Sequence, residues 1–148
     1  RPLINARAET IHEKASFKKL IARTRVIVPV NGFYEWRRTE GNKATFYFKS
    51  NDQDALALAG IYQISRDGEM HCCLITTGAN NVMRPVHDRM PALIPQAAMQ
   101  DWLLSEDTHV IDALMKPAAD DSITAVEVSS YANNAHNEGE KCIAPVNK

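Results

Sequence analysis

The sequence predicts an α+β domain built around antiparallel strands, and three observations support this fold class. The middle of the chain holds five segments rich in β-branched and aromatic residues. Short turn sequences such as Asn31-Gly32 and Asp67-Gly68 separate them, and short connections join antiparallel neighbours. Helical patterns flank this strand-rich middle on both sides. With 148 residues and no internal linker, residues 1–148 are expected to form a single domain.

The first element is an extended segment over LINARAE, residues 3–9. Its apolar and polar side chains alternate strictly, which is typical of a strand with one buried face. The polar face holds Asn5, Arg7 and Glu9.

A helix is predicted next, over ETIHEKASFKKLIA at residues 9–22. Thr10 and Glu13 have the spacing of a capping box, which marks a helix N-terminus. Its expected buried residues, at helical spacing, are Phe17, Leu20 and Ile21.

The five central strands follow in order, each bounded by turn chemistry. They are RVIVPV at 25–30, GFYEWRR at 32–38, ATFYFKS at 44–50, ALALAGIYQIS at 55–65 and MHCCLITTG at 70–78.

The segment RPVHDRMPALIP, residues 84–95, is different because its prolines forbid a regular helix. It is predicted to be an ordered crossing that leads into a short strand, PALI. Two helices follow, at 95–104 with Trp102 and Leu103 directed inward, and at 109–116. The last predicted elements are a strand at 122–129, a polar loop, and a short closing strand at 142–146.

Composition excludes several classes of protein. A net charge of −1 gives no support to nonspecific coating of nucleic acid, although a local basic groove is compatible with it. No apolar run is long enough to span a bilayer. Cys72, Cys73 and Cys142 have no regular spacing, so we expect buried thiols in a reducing compartment and no disulfide framework.

Glu35 is the first candidate for chemistry, because it interrupts the aromatic run of FYEW. Apolar surroundings favour the neutral form of a carboxyl group, which can then exchange protons with a substrate. Alternation along the strand places Phe33 and Arg37 on the face of Glu35, and Tyr34 and Trp36 on the other. The alternative is an exposed carboxylate paired with Arg37.

The remaining candidates are polar residues in two other segments. In VHDRMP, His87 and Arg89 share a face if the segment is extended, a combination suited to moving a proton near a phosphate. Asn5 could orient a hydroxyl or carbonyl group, and Arg7 could hold a phosphate, unless both lie on a solvated edge. No spaced set of His, Cys or Asp predicts a metal site.

Four stretches together resemble the SRAP family, first named SOS response-associated peptidase. They are NARAET at 5–10, GFYEW at 32–36, TTGANNVMRPVHDRMP at 76–91 and VSSYANN at 128–134. The resemblance implies a barrel-like core of mostly antiparallel strands with a few flanking helices. It also implies a protein that captures abasic sites in single-stranded DNA, through an N-terminal cysteine whose amine and thiol form a thiazolidine with the sugar aldehyde.

The resemblance also implies the roles of individual residues. Asn5, Glu35 and His87 match the family's active-site residues, and Arg7 and Arg89 match arginines that hold the DNA backbone. Glu35 is expected to move protons during imine formation and ring closure, and His87 to protonate the sugar ring oxygen. Phe33, Tyr34 and Trp36 are expected to wall the pocket around the acid.

The chain departs from the family pattern at its start. It begins at Arg1 without an initiator methionine, and the family's Met-Cys-Gly-Arg element is not in the sequence. None of the three cysteines matches the nucleophile. We therefore expect the gene product to carry that element before Arg1, and the chain by itself to form no crosslink.

Two other functions are compatible with these residues: a cysteine-type peptidase acting on itself or on another chain, and a noncatalytic module that binds single-stranded nucleic acid. The sequence predicts no cofactor and no membrane partner. We expect a monomer, located in the cytoplasm of a prokaryote or in the nucleus of a eukaryote.

Overall fold

The predicted α+β class is confirmed in a computed structural model that describes residues 4–146. The chain forms eight strands in two mostly antiparallel sheets, together with three α-helices. The strands are β1 Asn5–Arg7, β2 Arg25–Val30, β3 Phe33–Thr39, β4 Asn42–Ser50, β5 Leu56–Ile64, β6 Met70–Gly78, β7 Arg89–Pro91 and β8 Ile123–Val128. The α-helices are α1 Ala15–Arg23, α2 Met99–Leu104 and α3 Thr108–Leu114. No helix within residues 4–146 has the length and apolar character needed to cross a bilayer.

The larger sheet, sheet A, has the order β1-β6-β5-β2, and β7 also pairs with β6. All its pairings are antiparallel except β1 with β6, which is parallel. The hairpin from β5 to β6 turns at Gly68, whose φ of 86° favours glycine. The β1–β6–β7 pairing places two of the four motifs, NARAET and the segment 76–91, next to one another in space.

Sheet B has the order β3-β4-β8 and is antiparallel throughout. Its first turn uses Gly41, with φ 76°, so the turn between β3 and β4 is made as the sequence predicts. One edge of β8 forms a bridge from Val128 to Pro145. No strand among residues 4–146 pairs with the outer edge of β3.

Two apolar clusters define three layers: helices, sheet A and sheet B. The first cluster lies between the α-helices and sheet A, and includes Phe17, Trp102 and Ile75. The second cluster, which we call the inter-sheet core, joins sheet A to sheet B and contains Leu58 and Phe48. Sheet A is therefore buried on both faces, which explains the continuous apolar run LALAGI of β5.

The expected barrel-like core is only loosely matched, because the two sheets pack through the inter-sheet core and remain open among the described residues. Cross-strand neighbours Phe33 and Phe48 stack with ring centroids 5.2 Å apart and cover one end of that core. The arrangement is a sandwich of two open sheets with helices on one outer face.

The first helix begins later than the capping-box pattern predicts. Residues 8–10 form a 3₁₀ turn instead, and α1 starts only at Ala15. The Thr10 hydroxyl is buried without a hydrogen-bond partner, while the Thr10 carbonyl accepts from Glu13 N–H at 3.1 Å. The backbone thus turns at Thr10 and leaves no free amide for its side chain to cap.

Four smaller predictions are corrected by burial and pairing. Leu103 is 44% exposed, because only Trp102 of that turn of α2 faces the core. Cys72 is exposed and only Cys73 is buried, since adjacent strand residues alternate between faces. The seventh strand lies at Arg89–Pro91, before most of PALI. Residues 142–146 form a single bridge and no strand.

Candidate functional site

Asn5 and Arg7 project from sheet A on the side of the inter-sheet core. Asn5 pairs with Leu74 in β6, and paired strand residues direct their side chains to the same face. Leu74 packs on the inter-sheet core, whereas Ala6 lies on the opposite face in the first cluster. Both polar side chains are exposed, so they stand at the open rim of that face.

Glu35 projects toward the same core from sheet B. It pairs with Phe46, which packs on the inter-sheet core together with Phe33. Tyr34 and Trp36 lie on the other face of the sheet. They therefore do not wall a pocket around Glu35, as the sequence analysis expected. Among the three aromatic residues of the motif, only Phe33 shares the face of the acid.

The two outer aromatic residues instead bind the C-terminal segment. Tyr34 Oη donates to the Cys142 carbonyl at 3.1 Å, and Trp36 Nε1 donates to Asn133 Oδ1 at 2.6 Å. Thr45 Oγ1 donates to the same Asn133 oxygen at 3.0 Å. The VSSYANN motif therefore fixes the outer face of sheet B through Asn133, a role that the sequence analysis did not assign.

The Glu35 carboxylate is half-buried and bends back along its own strand. Its Oε1 accepts from the Trp36 backbone N–H at 3.1 Å. The alternative prediction, an ion pair between Glu35 and Arg37, is not found among the described residues. The Arg37 guanidinium lies instead over the Phe46 ring, 5.1 Å from the centroid. One Glu35 oxygen is thus held by the backbone, and the other has no protein partner among the described residues.

His87 follows a turn that packs on the inter-sheet core. Met83 and Val86 belong to or contact that core, and the Met83 carbonyl accepts from His87 N–H at 3.0 Å. The buried amide of Asn80 holds the start of this turn by accepting from Met83 N–H at 3.0 Å. The turn is therefore held by backbone and side-chain hydrogen bonds, and the His87 imidazole that follows it is 42% exposed.

His87 Nδ1 lies close to one hydrogen-bond donor and two acceptors. The Arg89 backbone N–H donates to Nδ1 at 3.0 Å, which requires an unprotonated Nδ1 in the neutral ring. The Arg89 carbonyl and Asp88 Oδ1 each lie 3.3 Å from the same nitrogen. The contact from the backbone N–H is the shortest of the three, so in the neutral ring it favours a bare Nδ1 and a proton on Nε2.

Arg89 is bound to the protein and not presented to solvent. Its Nη1 and Nη2 donate to the two Glu9 oxygens at 2.6 and 3.0 Å. Nη2 also lies 2.9 Å from the Thr76 carbonyl and 3.1 Å from Thr76 Oγ1. The Arg89 side chain is only 19% exposed, and we call this arrangement of Glu9, Arg89 and Thr76 the arginine clamp.

The clamp changes the titration of its acid. The hydrogen bond from Arg89 lowers the pKa of Glu9 below its ordinary value of 4.5, against a smaller opposing effect of burial. Arg7 contributes a weaker charge effect of the same sign. Glu9 is one of the polar residues of NARAET, but its partner lies 80 positions away, so the sequence offered no means of pairing them.

The site contains no arrangement suited to a metal. Within residues 4–146 no group of three or more His, Cys, Asp or Glu side chains could hold an ion.

A cavity of about 220 Å³ is lined by residues such as Leu56, Leu93 and Ser122. None of Asn5, Arg7, Glu35, His87 or Arg89 lines it, so the polar rim around the inter-sheet core remains the candidate site.

Residues 1–135 match the family model for SOS response associated peptidase (SRAP). The abasic site processing protein YoqW of Bacillus subtilis is 34% identical over 148 residues, covering 95% of this chain and 66% of YoqW. The abasic site processing protein HMCES of Xenopus tropicalis is 31% identical over 166 residues, covering 96% of this chain and 50% of HMCES. The chain thus spans slightly less than two thirds of the length of YoqW.

Solved structures agree with these relatives. A protein of Bacteroides thetaiotaomicron superposes with a TM-score of 0.85 at 32% identity, over 96% of this chain and 65% of that protein. A protein of Bordetella bronchiseptica superposes with a TM-score of 0.73 at 28% identity, over 84% of this chain and 64% of that protein.

Proposed function

The chain belongs to the SRAP family, and from this premise we propose that it binds single-stranded DNA and processes abasic sites. The names of its relatives support the substrate. The observation that carries the proposal is the polar rim, where Asn5 and Arg7 of sheet A and Glu35 of sheet B face one core, with His87 beside it. We propose that Glu35 and His87 act there as a proton-transfer pair and Arg7 as a phosphate-binding group.

The proposed reaction is the family's thiazolidine chemistry. The α-amine of the N-terminal cysteine that the family resemblance implies adds to the C1′ aldehyde of the ring-opened sugar and releases water to form an imine. The thiol then adds to the imine carbon, and its proton passes to the nitrogen. Each step moves protons on or off nitrogen and oxygen, so it requires a general acid and base.

Two residues of the rim are proposed for these transfers. The Glu35 oxygen that has no protein partner can exchange protons with the amine and the departing hydroxyl group. His87 Nε2 has no protein partner among the described residues, and an N–H there is proposed to donate to the sugar ring oxygen while the ring opens. Asn5 is proposed to orient a sugar hydroxyl through its exposed amide.

DNA binding is proposed to rest mainly on Arg7. Its exposed guanidinium has no hydrogen bond or ion pair among the described residues, so it can bind a phosphate without losing a protein contact. Phosphate contacts of this kind position a strand without reading its bases.

The test is the rate of crosslinking to a single-stranded oligonucleotide with one abasic site, under single-turnover conditions. The protein is the gene product with its N-terminal element, compared with Glu35→Gln and His87→Ala. Because a general acid–base group contributes roughly 10²–10⁴-fold, each variant should react at least about 10-fold more slowly. The matched control is Glu40→Gln, an exposed carboxylate in the turn after β3.

Three outcomes would contradict the proposal. Equal binding of abasic and intact strands with no covalent product would leave a noncatalytic binding module. Cleavage of casein by the protein without a DNA adduct would favour a peptidase. Wild-type rates for Glu35→Gln would remove Glu35 from the chemistry.

A further inference from the structure

We propose that Glu9 is a positioning residue of this site: through Arg89 it holds the neutral His87 imidazole in the tautomer that carries its proton on Nε2. The kinetic consequence of this inference rests on the proposed function, but the tautomer itself does not.

The first step is that the clamp immobilises the Arg89 side chain. A bidentate contact between a guanidinium and a carboxylate fixes the plane of both groups. Here the two bonds to Glu9 are joined by two contacts to Thr76. Glu9 lies directly after β1, and Thr76 pairs with Arg7 and with Pro91 in sheet A. The clamp therefore ties β7 to both neighbouring segments at one point.

The second step leads from the Arg89 side chain to the His87 ring. The same residue that is clamped donates its backbone N–H to Nδ1 at 3.0 Å. Arg89 is also the first residue of β7 and pairs with Gly78, so its amide has a fixed direction. A fixed amide hydrogen directed at Nδ1 selects the tautomer with the proton on Nε2, which is the nitrogen left free for a substrate.

The third step separates this role from a phosphate contact. The contacts to Glu9 and Thr76 occupy both hydrogens on Nη2 and one on Nη1, and Nε is buried without a partner. Only one Nη1 hydrogen remains for a DNA oxygen. In addition, the Glu9 carboxylate neutralises much of the charge that would attract a phosphate. The geometry therefore gives Arg89 a different task from Arg7.

The direct test is ¹⁵N NMR of histidine-labelled chain, residues 1–148, with the His87 signals identified from a His87→Gln sample. At a pH where the ring is neutral, wild type should show one dominant tautomer with Nε2 protonated and Nδ1 bare. Glu9→Ala should shift His87 toward a mixture of tautomers. Glu9→Gln, which keeps one acceptor for Arg89, should lie between the two.

The control and the contrary outcome use the same spectra. Glu13→Ala removes an exposed carboxylate four residues after Glu9, and Glu13 has no ion pair among the described residues. This variant should leave the tautomer ratio of His87 unchanged. Amide spectra of each variant establish that it is folded. If folded Glu9→Ala and Glu9→Gln both keep the wild-type tautomer ratio, the inference is wrong.

The kinetic arm uses the gene product with its N-terminal element. Arg89→Lys keeps the charge but cannot make the bidentate clamp. If Arg89 acts through His87, Arg89→Lys and Glu9→Ala should each lower the maximal crosslinking rate at least about 5-fold, with the DNA concentration for half-saturation unchanged. Raised half-saturation with an unchanged maximal rate would instead assign Arg89 to phosphate binding and overturn the inference. Absence of any crosslink in wild type would refute the proposed function, while the tautomer test would still decide the role of Glu9.

Discussion

At the scale of single residues, two arginines of one predicted group have opposite surroundings. Arg7 is exposed, whereas Arg89 is held by Glu9 and Thr76. We expect Arg7→Ala to weaken binding of single-stranded DNA irrespective of sequence and to reduce the slope of log affinity against log salt by about 1. Arg89→Lys should leave that slope unchanged. Fluorescence titrations at several salt concentrations measure both, and equal slopes for wild type and Arg7→Ala would contradict the assignment.

The arginine clamp also predicts a pH dependence of stability. Because the pKa of Glu9 is lowered in the folded state, its ion pair stabilises the protein above the ordinary value of 4.5, and that contribution is lost as pH falls through the lowered pKa. Wild type should therefore exceed Glu9→Gln by about 1 kcal/mol at neutral pH, with the difference shrinking in acid. Urea unfolding at a series of pH values measures it. Glu13→Gln should stay within about 0.5 kcal/mol of wild type at neutral pH.

At the scale of elements, the start of β3 depends on the absence of a side chain at Gly32. A Cβ there would lie 2.4 Å from the Phe48 carbonyl oxygen and 2.4 Å from the Tyr47 ring. We expect Gly32→Ala to cost about 2–3 kcal/mol, because backbone and a buried ring must both move. Gly78→Ala, where nothing lies within 4 Å, is the control in thermal unfolding. If the two variants lose similar amounts of stability, the strand propensity of glycine, and not this contact, decides the effect.

Helix α2 is joined to β2 by the Trp102 indole and by Arg25, whose guanidinium donates to the Trp102 carbonyl. Trp102 is fully buried, and its Nε1 donates to the Val26 carbonyl at 2.9 Å. Trp102→Phe removes this bond and leaves a cavity, so we expect a loss of about 2 kcal/mol in urea unfolding. Its exposed neighbour provides the comparison: Leu103→Ala should change stability by less than about 0.5 kcal/mol. A larger effect at Leu103 would indicate that α2 is rotated.

The elements that the sequence predicted well are those whose signals are local. Alternation and turn glycines located all five central strands, and β6 matches its predicted range, 70–78. The start of α1 was mispredicted because the Thr10 pattern was satisfied by a turn of the backbone. The prediction that Leu103 is directed inward was wrong, because a six-residue helix buries too narrow a stripe for periodicity to resolve.

At the scale of the whole molecule, the candidate site combines segments that are distant in sequence. Residue type and alternation pointed to the five candidate residues and the resemblance gave them roles, while strand register then placed Asn5, Arg7 and Glu35 on facing sheets. The side-chain pairs around the site could not be predicted. Glu9 meets Arg89, and Asn133 meets Trp36, only after both sheets form. A single sequence contains no record of such long-range pairs.

The open edge of β3 has a consequence for exchange of its amide hydrogens with solvent. The two-residue turn between Thr39 and Asn42 makes the odd-numbered residues of β3 the hydrogen-bonded ones, so the amides of Tyr34, Trp36 and Arg38 point away from β4. Among the described residues, Trp36 N–H is bound by the Glu35 side chain. Their neighbours Phe33, Glu35 and Arg37 bond to β4 instead. In deuterium oxide the strand should therefore lose its protons in alternation, fast at even numbers and slow at odd ones. Within the fast set only Trp36 N–H has a side-chain acceptor among the described residues, so Glu35→Ala should quicken its exchange and leave Tyr34 and Arg38 unchanged, which reports on the carboxylate without any DNA.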